Sequence, residues 1–213
     1  MQSLIRMESL VFRENGFEIH YPQIVSGSTI EKINLWNQII IQDMNQIIEL
    51  YSYRPFPELE PDLVGQITLR LVYESHLLND RYLSIFYKAS YFNPYSPYPS
   101  ELVYTTNIDL YKDRRIRLSD IVNVNQEFIN QFRQWEFIPL EESNEEVNLA
   151  IRDYFNQISD EALFQGFMAA DQIGSENTMG VFTYLKPGRL GISMEAPNYI
   201  GGHVEFEGDF MLN

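Results

Sequence analysis

Between Ser28 and Tyr51 the chain repeats apolar residues at spacings of three and four: Ile33, Trp36, Ile40, Met44, Ile47 and Tyr51. An α-helix gathers that period onto one face. Ser28 followed by Glu31 reads as a capping box, so the spacing predicts a helix from there to about Leu50. Its charges are few (Glu31, Lys32, Asp43, Glu49), and Ile39, Ile41 and Ile48 widen the apolar stripe. A stripe that broad needs a sheet to cover it, which makes the helix a core element and not a membrane anchor.

The segments around this helix alternate with period two. Ser9 to Phe12 and Phe17 to Tyr21 flank Glu14, Asn15 and Gly16, a hairpin that Tyr21 and Pro22 are expected to end. Pro55, Pro57 and Pro61 break the chain after the helix. Three strand-like runs follow, at Ile67 to Glu74, Tyr82 to Tyr91 and Leu102 to Tyr111, which in succession imply an antiparallel meander. Ile108, Leu110, Ile116 and Leu118 flank a polar turn at Lys112 to Arg114, and Ser119 with Asp120 marks a helix start. Asn125 is positioned to cap a helix bearing Phe128, Ile129, Phe132 and Trp135. Ser143 with Glu146 opens another through Val147, Ile151, Tyr154 and Phe155. Met179 to Leu185, Leu190 to Glu195 and His203 to Phe210 complete the pattern as strands, the first two joined by a turn at Lys186 to Arg189. Strands cluster and helices cluster, so the expected class is α+β: a mainly antiparallel sheet packed by a long N-terminal helix and two or more central helices.

Charge narrows the function. Thirty acidic residues against fifteen basic ones give a formal charge of −15, which repels phosphate backbones and anionic lipid, so nucleic acid is excluded as a partner class. From Glu141 onward only Arg152, Lys186 and Arg189 oppose thirteen acids, concentrating the excess in the C-terminal third. No run reaches the roughly 18 apolar residues of a membrane span, and Met1 to Leu10 lacks the apolar core of a signal peptide, so no membrane insertion by this chain is expected. The absence of cysteine rules out disulfides and thiol chemistry.

Reactive constellations are scarce. His20, His76 and His203 are mutually distant, giving no local ligand pair, and neither a metal site nor a cofactor is expected. His203 and Glu205 share a strand face and read as a surface pair on an edge strand, with binding or proton transfer as the functional alternative. Ser119 and Asp120 read as capping residues, and Gly201 with Gly202 as a turn. The segment from Tyr87 to Tyr104 carries Tyr91, Tyr95 and Tyr98 among Pro94, Pro97 and Pro99. Proline stiffens such a loop and tyrosine offers broad contact area at low entropic cost, so Tyr91, Tyr95, Tyr98, His203 and Glu205 are the candidate binding residues. No catalytic residue is nominated.

Four segments, GFEIHYPQI (16–24), the helix with Ile33 and Asn34, IDLYKDRRIRLSDI (108–121) and LGISMEAPNYIGGHVEF (190–206), occur in an order that resembles the tandem DUF4163 and DUF3298 family. That family occurs in extracytoplasmic domains of bacterial anti-sigma factors and in some cell-wall deacetylases. The resemblance implies a DUF4163-like part over residues 1–64 and a DUF3298-like part over 65–213, sharing a sheet. It also implies an extracytoplasmic or cell-envelope location, with an anchor or leader upstream. The family's Thr-Gly turn after Asp-Leu is replaced here by Tyr111 to Arg114, and its Gly- and His-containing loop by Asn93 to Pro99. The expected role is a non-catalytic sensing or binding domain for a cell-wall glycan or a cationic protein such as lysozyme. An accessory module of a peptidoglycan-modifying enzyme and a carboxylate-based hydrolase are the alternatives.

Overall fold

A computed structural model describes residues 5–52, 66–139, 145–174, 176–197 and 201–210. The prolines at 55, 57 and 61 and the Ser143 cap lie outside the described residues. Two sheets and five helices organise the rest into an α+β fold. The first sheet runs β1 (Arg6–Glu14), β2 (Phe17–Ser26), β3 (Thr68–Leu78), β4 (Tyr82–Phe92), β5 (Ser100–Asp109) and β6 (Arg114–Arg115) in chain order. The second has the order β7 (Glu136–Ile138), β10 (His203–Asp209), β9 (Arg189–Glu195), β8 (Phe182–Lys186).

The expectation of one mainly antiparallel sheet needs two corrections: there are two sheets, and the first is mixed. β3 to β5 do form an antiparallel meander, but β2 pairs with β3 in parallel over Phe17–Ile19 against Leu69–Leu71. A parallel step follows because a helix, α1 (Ile30–Ser52), intervenes between the two strands and returns the chain in the same direction. β2 also continues through Pro22 to Ser26. Past Ile19 it has no β3 neighbour, so the missing proline N–H deprives no ladder there. The Asn37 side chain of α1 meets that open edge, accepting from Ile24 N and donating to Ile24 O, both at 2.8 Å.

α1 buries Ile33, Trp36, Ile40, Met44 and Ile47 against the first sheet, while Ile39 and Ile48 are half-buried and Ile41 is exposed. Each fully buried aliphatic of this set is worth about 1.5–3 kcal/mol, which fixes the helix on the sheet. Its first turn is capped by Thr29 and not Ser28: Lys32 N donates to Thr29 Oγ1 at 3.5 Å and Ile33 N to Thr29 O at 3.0 Å. One apolar cluster joins α1 to β2–β5 and takes in Phe182 and Tyr184 of β8. A second lies between the β8–β10 sheet and the helices α2 (Leu118–Ile121), α3 (Gln126–Phe132), α4 (Glu145–Asn156) and α5 (Asp160–Met168). Asn125 caps α3 through Phe128 N at 2.9 Å, as its sequence suggests, whereas β7 and α5 were not foreseen.

One charge sits in the middle of the α1 stripe. Asp43 is fully buried, held by the Arg115 guanidinium from β6 and by Thr106 Oγ1 of β5 at 2.5 Å. Burial pushes its carboxyl above the ordinary value, against the pull of Arg115 and Thr106. Removing the cation strands a buried carboxylate. Arg115→Ala should therefore cost about 3 kcal/mol in urea unfolding, and Asp43→Asn with Arg115→Met together clearly less. Equal losses in the two variants would show that the pair carries no such coupling.

Candidate functional site

The second sheet meets the first along β8, an edge strand, and side chains satisfy its outward backbone groups. Thr183 N donates to Asp171 Oδ1 at 2.6 Å, Thr183 O accepts from Asn107 Nδ2 at 2.7 Å, and Leu185 N donates to Ser84 Oγ at 2.9 Å. Ser84 Oγ in turn donates to Asn107 Oδ1 at 2.7 Å. Asp171 adopts a left-handed backbone (φ 64°), a conformation aspartate tolerates, and its N–H bonds Val181 O at 3.0 Å. Its carboxylate also accepts from Thr105 Oγ1 at 3.2 Å, Leu118 N at 2.8 Å and Thr183 Oγ1 at 2.7 Å. Burial pushes the carboxyl up to about 6 even so. Four donors occupy both oxygens, so Asp171 acts as a strut.

Beside this strut opens a cavity of about 850 Å³, bounded by Gln42, Gln46 and Glu49 of α1, by Arg115 and Arg117, and by the 171–174 segment with Glu176. Its size lies within the range of small-molecule sites. Arg115 is committed to Asp43, which leaves Arg117, Glu49, Glu176 and the glutamine amides as the groups that can meet a ligand. Among the described residues no cluster of three or more His, Asp or Glu is arranged to hold a metal ion, and no helix is long and apolar enough to cross a membrane.

The candidate residues separate. Tyr91 is buried, its ring 4.5 Å from that of Tyr51, so it belongs to the core and not to a displayed patch. Tyr95 and Tyr98, in the β4–β5 loop, are 59% and 71% exposed. His203 and Glu205 are correctly placed on one face, 3.6 Å apart, but β10 is an inner strand and both are largely buried, which corrects the surface-edge reading. Tyr184 Oη lies 3.1 Å from Glu205 and 3.0 Å from Glu207 and shares its one proton between the two carboxylates, with Lys186 2.6 Å from Glu207. Burial raises the Glu205 carboxyl, but His203, Tyr184 and Lys186 outweigh it and hold the group below its ordinary value. The Tyr184 ring lies over Gly191, where a Cβ would fall 2.1 Å from ring carbons, so only glycine fits beneath it.

Helix α4 presents a different surface. Glu145, Glu146, Leu149 and Asp153 share one exposed arc, and Leu149 is 56% exposed. The arginines near it are otherwise engaged: Arg152 lies over Phe137 at 5.5 Å and Arg133 pairs with Asp160 at 2.6 Å. Sequence reasoning found the acidity but not this face, nor Asp171, Asn107 or the cavity.

The architecture is that of a curled α+β protein of two sheets. It is similar to a DUF3298 family protein from Bacteroides fragilis (12% identity, 97% of this chain and 91% of that one, TM-score 0.51). A DUF3298 family protein from Pseudomonas aeruginosa is similar to the same degree (14% identity, 96% and 90%, TM-score 0.51). The chain thus shares the fold of DUF3298 family proteins. No family model and no curated protein matches the sequence.

Two outcomes follow from these environments. The folded Asp171 carboxyl titrates near 6, above its ordinary value of 3.8, so the folded state holds this proton where the unfolded chain has lost it. Its contribution is greatest in acid and lost as pH rises through 6. Relative to Asp171→Asn, the wild-type chain should gain about 1 kcal/mol in urea unfolding on going from pH 7 to pH 5; a flat difference would mean the carboxyl is already ionised throughout. By contrast, Tyr95→Ala with Tyr98→Ala should leave stability within about 0.5 kcal/mol of wild type, as for exposed sites generally.

Proposed function

We propose that this chain is a non-catalytic binding domain of the cell envelope whose partner is a cationic protein. The observation that carries the reading is the α4 face, where Leu149 is rimmed by Glu145, Glu146 and Asp153 with no Lys or Arg paired to them among the described residues. An exposed apolar residue among acids that form no ion pair complements a basic surface, and the −15 charge speeds its approach. The finer assignment, a DUF4163-like part over 1–64 and a DUF3298-like part over 65–213 as in anti-sigma-factor ectodomains, belongs to the same proposal, as does the extracytoplasmic setting. Titration with hen lysozyme as a basic probe is expected to give binding that weakens steeply with added salt, because exposed charges are screened beyond about 10 Å at 0.1 M. Glu146→Lys with Asp153→Lys should weaken it about tenfold or more. Salt-independent binding, or no effect of the two reversals, would refute the reading.

The 850 Å³ cavity favours a second reading, a wall glycan bound either by a free-standing domain or by an accessory module of a wall-modifying enzyme. Amide side chains suit hydroxyl and acetamido groups, and Arg117 suits a carboxylate. Binding of a soluble muropeptide that is lost in Arg117→Ala and intact in the α4 reversals would support it over the first.

A further inference from the structure

A second cleft lies where the C-terminal end of α1, the start of β5 and the end of β9 converge, formed by adjoining spaces of about 190 and 410 Å³ that share Tyr51, Leu102, Glu195 and Gly202 in their walls. It shares no residue with the α4 face. Its walls are aromatic and mutually braced. Tyr51 packs on Tyr91 at 4.5 Å, its hydroxyl is hydrogen-bonded to that of Tyr104, and Tyr104 meets Phe182 edge-on at 5.1 Å. Burial pushes the Tyr51 hydroxyl up to about 12, and nearby Glu195 adds to the effect, so these phenols stay protonated and uncharged.

Two features set this cleft apart from an ordinary core margin. The first is Glu195, an exposed carboxylate that burial of its cleft-facing side pushes above the ordinary value, with no Lys or Arg paired to it among the described residues. Glu101 stands at the rim, and no Lys or Arg lines the cleft among the described residues. The second is a set of buried polar atoms that find no hydrogen-bond partner among the described residues: Ser193 Oγ, Tyr91 Oη and His203 Nδ1. Ser193 is fully buried and Tyr91 is 7% exposed, and all three residues border the cleft. Orphaned buried groups cost free energy, so they mark places where a bound molecule completes the bonding.

We infer that this cleft binds a small organic cation of the alkylammonium class. An anion would meet Glu195 and Glu101 with no compensating charge. A neutral ligand would desolvate Glu195 and leave it unpaired. An ammonium group answers both: its N–H groups donate to the carboxylate and to the free oxygens of Ser193 and Tyr91, and its charge is favoured by the tyrosine rings. Its alkyl chain packs on Leu102 and the ring walls.

The test is calorimetric titration of the whole chain with pentylammonium chloride, with 1-pentanol as the uncharged analogue of the same length. Saturable binding of pentylammonium is expected, with none by pentanol. Glu195→Gln should weaken binding about tenfold or more, whereas Glu145→Gln with Glu146→Gln, which removes twice the charge elsewhere, should leave it unchanged. Tyr91→Phe supplies the control on folding: it removes an unsatisfied buried hydroxyl, so its thermal midpoint should hold or rise while pentylammonium affinity falls. Pentanol binding as tightly as the amine would overturn the inference. So would equal weakening by the Glu195 and Glu145/Glu146 variants, or a Tyr91→Phe protein with undiminished affinity.

Discussion

A sheet edge buried against another sheet must have its N–H and C=O groups answered, and this requirement governs how the two halves of the molecule join. β8 ends the second sheet and crosses the face of the first, where no strand among the described residues pairs with its outer edge. Asp171, Asn107 and Ser84 take the place of that missing strand, each aimed at a backbone group of Thr183 or Leu185. The solution is directional where apolar packing is not. The two hydrophobic clusters could slide past each other at small cost in buried area, but the polar seam has few arrangements in which every group is paired. It fixes the position of the 171–174 segment, and through Leu118 N it fixes α2 as well.

Both clefts inherit their shape from this joint. The large cavity opens between α1 and the segment that Asp171 pins, and the aromatic cleft opens where β9 continues beyond β8 towards α1. Asp43 performs the matching task on the opposite face of β5, tying α1 to β6 through Arg115. Adjacent residues Thr105 and Thr106 therefore serve two different buried carboxylates, one on each side of the sheet, because side chains along a strand alternate.

Local periodicity made α1, the β3–β5 meander, the α3 cap and the last three strands legible, since each reflects contacts within a few residues. The hairpin ahead of α2 is equally local: Asp113 takes the positive φ of the turn, and Asp120 caps Arg117 N at 2.9 Å. The parallel β2–β3 pairing was not legible, because it depends on where α1 returns the chain. Nor was the fate of the tyrosines, which share one composition but divide between core and surface according to strand phase and loop position. Asp43 did leave a trace, a charge seven residues after Trp36 and four before Ile47, in the centre of the apolar stripe. Asp171 left none. Its partners come from positions 105, 118 and 183, and no spacing rule links them.

The distribution of positive charge explains why both proposed ligands are cations. Arg115 is consumed by Asp43, Lys32 by Asp113, Arg114 by Asp120, Arg133 by Asp160, and Lys186 with Arg189 by Glu207. Several of these pairs sit at joints between elements, where a cation is held by geometry and lends little to the outer field. The acids left over face solvent or a cleft, among them Glu145, Glu146 and Asp153 on α4, Glu49 and Glu176 at the large cavity, and Glu195 and Glu101 around the aromatic walls. In a chain with twice as many acids as bases, each ion pair removes one charge of either sign, so the excess of −15 stays on acids without a cationic partner. Selection for a cationic partner would act on those unpaired positions, which structural pairing leaves free to vary.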